Sequence, residues 1–266
     1  MSRLDAAFTA LRERNEKALV AYLTAGDPSL DVTERLVVEF DRAGADVIEL
    51  GVPFSDPIGD GPVNQRSAER ALAAGTSLVR VLELVARVRD RIRAPLVLMG
   101  YYNPIWAFGL KAFARTAADA GVDGMIVVDL PPEEAADLGA EAASVGIDMV
   151  YLVAPTSTPA RLRLIARASR GFIYVVSRTG VTGERADIPA DLPAQLRSLR
   201  MVTTKPICVG FGIAKPEQVA TVGALADGAV VGSAIVRMIE ERGSSPALVA
   251  DLGRFIAELK APLRKP

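Results

Sequence analysis

The chain has 266 residues, 50% of them hydrophobic and 24% charged, with a formal net charge of −1. That composition supports a sizeable globular core and offers no basic surface for nucleic acid or an anionic membrane. There is no histidine, which excludes Ser-His-Asp and Cys-His nucleophile systems and zinc sites of the usual His-rich kind.

The single cysteine, Cys208, excludes an intrachain disulfide and fits a reducing compartment. Met1-Ser2-Arg3-Leu4-Asp5 is polar and does not read as a signal peptide. No apolar run approaches the roughly 20 residues of a membrane span. The expected location is the cytoplasm.

In chain order, a helical segment over residues 4–16 precedes a first apolar, β-branched run at 19–24. Further runs fall at 47–52, 95–101, 124–130, 149–154, 172–177, 206–210 and 229–232. Each is short and nearly continuous, the pattern of strands covered on both faces in a parallel sheet. Helical periodicity lies between them. Val32, Leu36, Phe40 and Ala43 form one stripe ending at Gly44, and Leu110, Phe113, Ala114 and Ala117 form another ending at Gly121. Thr158-Pro159 reads as N-cap and first helical residue, followed by Leu162, Ile165, Ala166 and Ser169, with Gly171 closing the helix. A last helix is expected over 247–259. Eight strands alternating with helices predict an α/β fold, a (β/α)8 TIM barrel with an extra N-terminal helix and additional helical segments. An open doubly wound sheet is the alternative. No linker divides the chain, so residues 1–266 are expected to form one domain.

In such a barrel the chemistry lies at the C-terminal ends of the strands. Glu49, in the second run, is an ionisable group in apolar surroundings, where the charged form is costly and the pKa rises. It is a candidate general acid/base, or else a buried Glu paired with a cation. Asp60 lies in the turn-rich loop beyond it, between Gly59 and Gly61, where it is either a turn residue or a second catalytic carboxylate on a lid. Three glycine-containing segments, 179–183, 209–213 and 227–234, sit near later strand ends and suit an anion bound by backbone N–H groups. Gly232-Ser233 reads as a helix N-terminus, with Ser233 as cap or phosphate donor. None of the six lysines falls at the C-terminal end of a strand, which disfavours Schiff-base chemistry and covalent pyridoxal phosphate in this chain. Cys208 reads as a core residue.

The segment Glu49-Leu50-Gly51-Val52-Pro53-Phe54-Ser55-Asp56-Pro57, with Asp60-Gly61-Pro62, resembles the signature of the tryptophan synthase alpha chain family. Thr24-Ala25-Gly26-Asp27-Pro28, Tyr102-Asn103-Pro104, Val153-Ala154-Pro155-Thr156-Ser157, the stretch 174–183 and Gly210-Phe211-Gly212-Ile213 extend the resemblance over essentially the whole chain. It implies a lyase that cleaves indole-3-glycerol phosphate to indole and glyceraldehyde 3-phosphate in tryptophan biosynthesis. Glu49 and Asp60 would be the catalytic pair. Backbone near Gly183, Gly212, Gly232 and Ser233 would hold phosphate. Tyr22, Met99, Tyr174 and Phe211 would line the indole pocket, and Thr182 would help close it around Asp60. No metal and no cofactor in this chain are implied. The partner would be a pyridoxal-phosphate beta chain in an α2β2 complex, with Asp56 and the segment 102–104 as plausible contacts.

Departures from the family pattern are Ile58-Gly59, expected to loosen the loop, Val63-Asn64, and Tyr22, which adds a hydroxyl to the pocket. The rival readings are a stand-alone indole-releasing lyase without a partner, a glycoside hydrolase on the same fold, and a non-catalytic regulatory subunit.

Overall fold

The chain was studied as a computed structural model, which describes residues 1–176, 189–210 and 212–264. After α1 (Arg3–Glu13) come β1 (Ala18–Thr24), α2 (Leu30–Ala43), β2 (Val47–Gly51), α3 (Pro62–Ala73), α4 (Leu78–Val88), β3 (Leu96–Gly100), α5 (Tyr102–Phe108) and α6 (Leu110–Ala120). Next are β4 (Gly124–Val127), α7 (Ala136–Ser144), β5 (Asp148–Met149), β6 (Leu152–Val153), α8 (Pro159–Ala168), β7 (Ile173–Val176) and α9 (Leu192–Arg200). The chain continues through β8 (Ile207–Gly210), α10 (Pro216–Leu225), β9 (Gly228–Val231), α11 (Ser233–Arg242) and α12 (Leu248–Lys260).

All strand pairs are parallel. The order β5-β4-β3-β2-β1-β9-β8-β7-β6 begins and ends on two halves of one strand. The Val150 N–H donates to the Met125 carbonyl at 2.9 Å on one side, and the Tyr174 N–H donates to the Tyr151 carbonyl at 3.2 Å on the other. The sheet therefore closes, and the fifth of eight staves is the interrupted one. This is the expected (β/α)8 barrel, and closure removes the edges an open sheet would expose.

Most expected elements are present, with shifts that have local causes. The first helix stops at Glu13, and Asn15 takes a left-handed conformation (φ 55°) before the chain enters the barrel. Gly44 and Gly121 cap α2 and α6 in the left-handed region as expected. Thr158 caps α8, but that helix ends at Ser169, and Gly171 (φ 69°) belongs to the turn into β7. Helix α3 had no clear periodicity because much of its buried face is small or polar: Val63, Asn64, Ser67, Ala68 and Ala71.

Two apolar layers follow from strand alternation. Residues such as Ile48, Leu50, Leu96 and Leu98 face the helices. Val20, Val47, Val97, Ile126, Val150 and Phe172 pack together in a second cluster, closed by Leu4, Phe8 and Leu11 of α1. The Phe8 and Phe172 ring centroids are 5.7 Å apart. Helix α1 thus plugs one end of the barrel and leaves the other for chemistry.

One buried cation ties the last helix to this floor. Lys260 is 2% exposed. Its Nζ donates to an Asp46 carboxylate oxygen at 2.8 Å and to the Lys17 carbonyl at 2.9 Å. The same Asp46 oxygen accepts the Leu19 N–H at 2.7 Å. Burial raises the Asp46 pKa and Lys260 opposes that rise. Removing one partner of a buried pair strands the other charge. Lys260→Met should cost about 3 kcal/mol in urea unfolding, and Lys260→Met with Asp46→Leu should recover much of the loss. Equal losses in single and double variants would contradict the pairing.

Candidate functional site

Glu49 is the third residue of the five in β2. Register pairs it with Tyr22 of β1 and Val97 of β3. It is 1% exposed, and its Oε2 has no hydrogen-bond partner among the described residues. The cation a structural Glu would need is absent among those residues. The apolar cluster that includes Val47 and Val97 excludes water from one side of the carboxyl group. Burial first, and the charge of Asp60 second, push the Glu49 pKa up to about 8. Glu49 is therefore a neutral acid near pH 7, able to give a proton and afterwards to take one.

Asp60 sits in the loop between β2 and α3, and its loop is held rather than loose. The Tyr101 hydroxyl donates to Asp60 Oδ2 at 2.9 Å and accepts the Gly59 N–H at 3.0 Å. The Asp60 N–H donates to the Pro57 carbonyl at 3.0 Å, and the Gln65 amide donates to the Asp60 carbonyl at 2.9 Å. Phe54 packs against the Tyr101 ring at 5.2 Å. Gly59 was expected to free the loop, but its role is space. A Cβ there would lie 2.6 Å from Val128 Cγ1, so the missing side chain lets the loop seat on β4's exit. Burial raises the Asp60 pKa, while hydrogen bonds from Tyr101 and Asn64 pull it down. Burial and the Asp60 charge also raise the Tyr101 pKa, keeping its donor proton in place.

A cavity of about 110 Å³ joins these groups. Its wall includes Tyr22, Glu49, Asp60, Met99, Tyr174, Gly212, Gly232 and Ser233, all candidates from sequence. The two phenols fit because the neighbouring strand carries glycine. A Cβ on Gly51 would lie 2.4 Å from the Tyr22 hydroxyl, and one on Gly210 would lie 2.4 Å from the Tyr174 hydroxyl. At the far side, Gly212 takes a left-handed conformation (φ 59°), and Gly232 is the N-cap of α11. Ser233 is the first residue of α11 and not its cap; that helix has no side-chain cap. Its first-turn N–H groups have no intrahelical acceptors, which suits an anion. Thr182, Gly183 and Phe211 lie outside the described residues.

Sequence reasoning missed the groups that tie the loop down. Tyr101, Asn64, Val128 and Leu152 all face the site. Position offered a signal for Tyr101, which directly follows β3, and for Asn64, one helical turn after Asp60. Behind the site, Arg70 of α3 makes a two-point contact with Asp27 (2.7 and 2.9 Å) and reaches Glu240 of α11 at 2.9 Å. Arg66 adds a two-point contact with Glu240 (2.7 and 2.8 Å). The helix that follows Asp60 is thereby clamped to α11, whose N-terminus lines the cavity.

With this geometry in view, the family model described as tryptophan synthase alpha chain matches residues 8–261. The chain belongs to the tryptophan synthase alpha chain family. A tryptophan synthase alpha chain from Geobacter sp. (strain M21) is 52% identical over 265 residues, covering 100% of this chain and 99% of the relative. One from Solibacter usitatus is 50% identical, covering 98% and 97%. Among solved structures, the alpha subunit from Legionella pneumophila superposes with a TM-score of 0.91 at 37% identity, covering 99% of this chain and 98% of the other. A chain of Mycobacterium tuberculosis tryptophan synthase superposes at 0.92 with 36% identity, covering 100% and 99%. Family membership makes the protein a lyase of tryptophan biosynthesis with the barrel architecture described above.

The raised Glu49 pKa has a thermodynamic consequence. The unfolded chain ionises Glu49 near the ordinary glutamate value of 4.5, whereas the folded chain holds the proton to about 8. The stabilising contribution is fully present below the lower value and is lost as pH rises through the upper one. Relative to Glu49→Gln, the wild type should lose stability across that window with a slope approaching about 1.4 kcal/mol per pH unit. Denaturant unfolding of both proteins across this range tests it, and parallel pH profiles would contradict the assignment.

Proposed function

We propose that this chain cleaves indole-3-glycerol phosphate to indole and glyceraldehyde 3-phosphate by a retro-aldol reaction, with Glu49 and Asp60 as its catalytic pair. The observation that carries the reading is a buried carboxyl group whose Oε2 has no partner among the described residues, beside a second carboxylate that accepts the Tyr101 hydroxyl hydrogen bond, both in one cavity. Two neighbouring carboxyls with opposed environments divide into acid and anion.

In this scheme Glu49 protonates C3 of the indole ring, and the positive charge develops at the ring nitrogen. Asp60 accepts the ring N–H hydrogen bond and stabilises that charge. Glu49, now a carboxylate, takes the proton of the glycerol hydroxyl next to the breaking bond. The C–C electron pair returns to the ring and restores indole, and the oxygen becomes the aldehyde carbonyl. Glu49 ends protonated, ready for the next cycle. Tyr22, Met99, Tyr174 and Phe211 are proposed to line the indole end. Gly183, Gly212, Gly232 and Ser233 would hold the phosphate, with Thr182 closing over Asp60. No cofactor is required within the chain, because the indole ring itself is the electron sink.

The proposal extends to assembly. The partner would be a tryptophan synthase beta chain carrying pyridoxal phosphate, in an α2β2 complex in the cytoplasm, with residues 1–266 acting as one barrel domain. Ile58 in the Asp60 loop is 82% exposed and Trp106 of α5 is 64% exposed. These large apolar groups beyond β2 and β3 support a protein contact near the mouth of the barrel.

Turnover of indole-3-glycerol phosphate by Glu49→Gln should fall by about 10²–10⁴-fold, and by Asp60→Asn by about 10²–10³-fold. The wild-type rate should fall as pH rises through the Glu49 value of about 8. Near-normal turnover by both variants would overturn the assignment. Assays with and without a beta chain test the assembly.

A further inference from the structure

Asn64 is the third residue of α3 and lies one helical turn beyond Asp60. It is 8% exposed and lines the same cavity. Its backbone is fixed from behind. Ser67 Oγ donates to the Asn64 carbonyl at 2.7 Å, so the Thr24 hydroxyl must donate to Ser67 Oγ (2.6 Å) and the Tyr22 hydroxyl to Thr24 Oγ1 (3.3 Å). This one-way chain spends the hydroxyl protons of Tyr22, Thr24 and Ser67 and leaves none for the Asn64 side chain.

The side chain of Asn64 lies beside the Asp60 carboxylate and favours its ionised form. A carboxylate only accepts, so the amide NH₂ must face it and the amide oxygen must face away. That oxygen, Oδ1, is buried and has no hydrogen-bond partner among the described residues. A buried acceptor without a donor is destabilising, and an apolar residue of the same shape would avoid the cost. Met99, Leu152, Val176 and Val230 make part of the same cavity wall apolar. A lone acceptor in such a wall has a use when a ligand brings the donor.

We propose that Asn64 is a substrate-binding residue whose amide NH₂ steadies Asp60 and whose amide oxygen is a second acceptor for the ring N–H of the bound indole substrate. This inference rests on the retro-aldol reading above and adds a residue to it. The ring N–H is the one hydrogen-bond donor on the aromatic half of that substrate. Sharing it between Asp60 and Asn64 fixes the ring in its plane. It also sets a second negative dipole end beside the nitrogen where positive charge develops.

The test compares indole-3-propanol phosphate, a non-cleavable analogue, with its ring-N-methyl counterpart, using titration calorimetry on the full chain. The wild type should prefer the N–H analogue, and Asn64→Leu should reduce that preference by about five-fold or more. The acid limb of kcat/KM for Asn64→Leu should move to higher pH, because Asp60 loses a bond that favours its ionised form. Holding Asp60 alone would move the limb and leave the preference unchanged, so the preference is the deciding readout. If Asn64→Leu fails to fold, Asn64→Val serves for the same comparison. An unchanged preference in a folded variant overturns the inference. Wild-type turnover of indole-3-glycerol phosphate is measured alongside. An active wild type with an unchanged preference removes the Asn64 role alone, whereas an inert wild type removes the underlying reading as well.

Discussion

The site depends on burying one carboxyl group against an apolar floor with no cation to neutralise it. Charge in such a place is expensive, and the group responds by keeping its proton. The floor exists because α1 plugs the barrel from one end with Leu4, Phe8 and Leu11, and because β2 alternates Val47 with Glu49 on the inner face. A neutral Glu49 then permits a second carboxylate nearby. Two anions in one cavity would repel, and the structure relieves that by giving hydrogen-bond donors to Asp60 and none of the described ones to Glu49 Oε2.

Holding Asp60 in place is a task for groups outside the pair. Tyr101 bridges the loop at two points, one on the backbone of Gly59 and one on the carboxylate. Helix α3, which begins just after Asp60, is anchored by Arg70 and Arg66 to the loop after β1 and to α11. Burial raises the pKa of Asp27 in this clamp, and Arg70 opposes the rise. The carboxylate side of the cavity and the side formed by the start of α11 are thus one mechanical unit. Precision of this kind suits the proposed two-carboxylate chemistry, since misplacement by about 1 Å has a large effect on rate.

Much of this was legible in the sequence, for reasons that can be named. Barrel strands are covered on both faces, so their runs are continuous and stand out, and glycine caps such as Gly44 and Gly121 mark helix ends by a backbone need no other residue meets as easily. Glu49 was legible because an acid in such a run has to be explained. Helix α3 was not legible, because a face built from Asn64, Ser67, Ala68 and Ala71 carries little hydrophobic period. The role of Gly59 was misjudged for a related reason. Sequence identifies glycine as freedom, whereas here it is clearance for Val128. Tyr101 and Asn64 act through contacts between neighbouring segments, which their positions, just after β3 and four residues after Asp60, only hint at.

The central claim is that Glu49 is protonated at neutral pH because of where β2 places it. Infrared difference spectroscopy against Glu49→Gln, followed through a pH titration, reads that proton directly from the carbonyl stretch of the neutral acid. A neutral-acid band that persists through pH 7 and disappears near the Glu49 value of about 8 is the predicted result. A band already lost near the ordinary glutamate value of 4.5 would contradict the account.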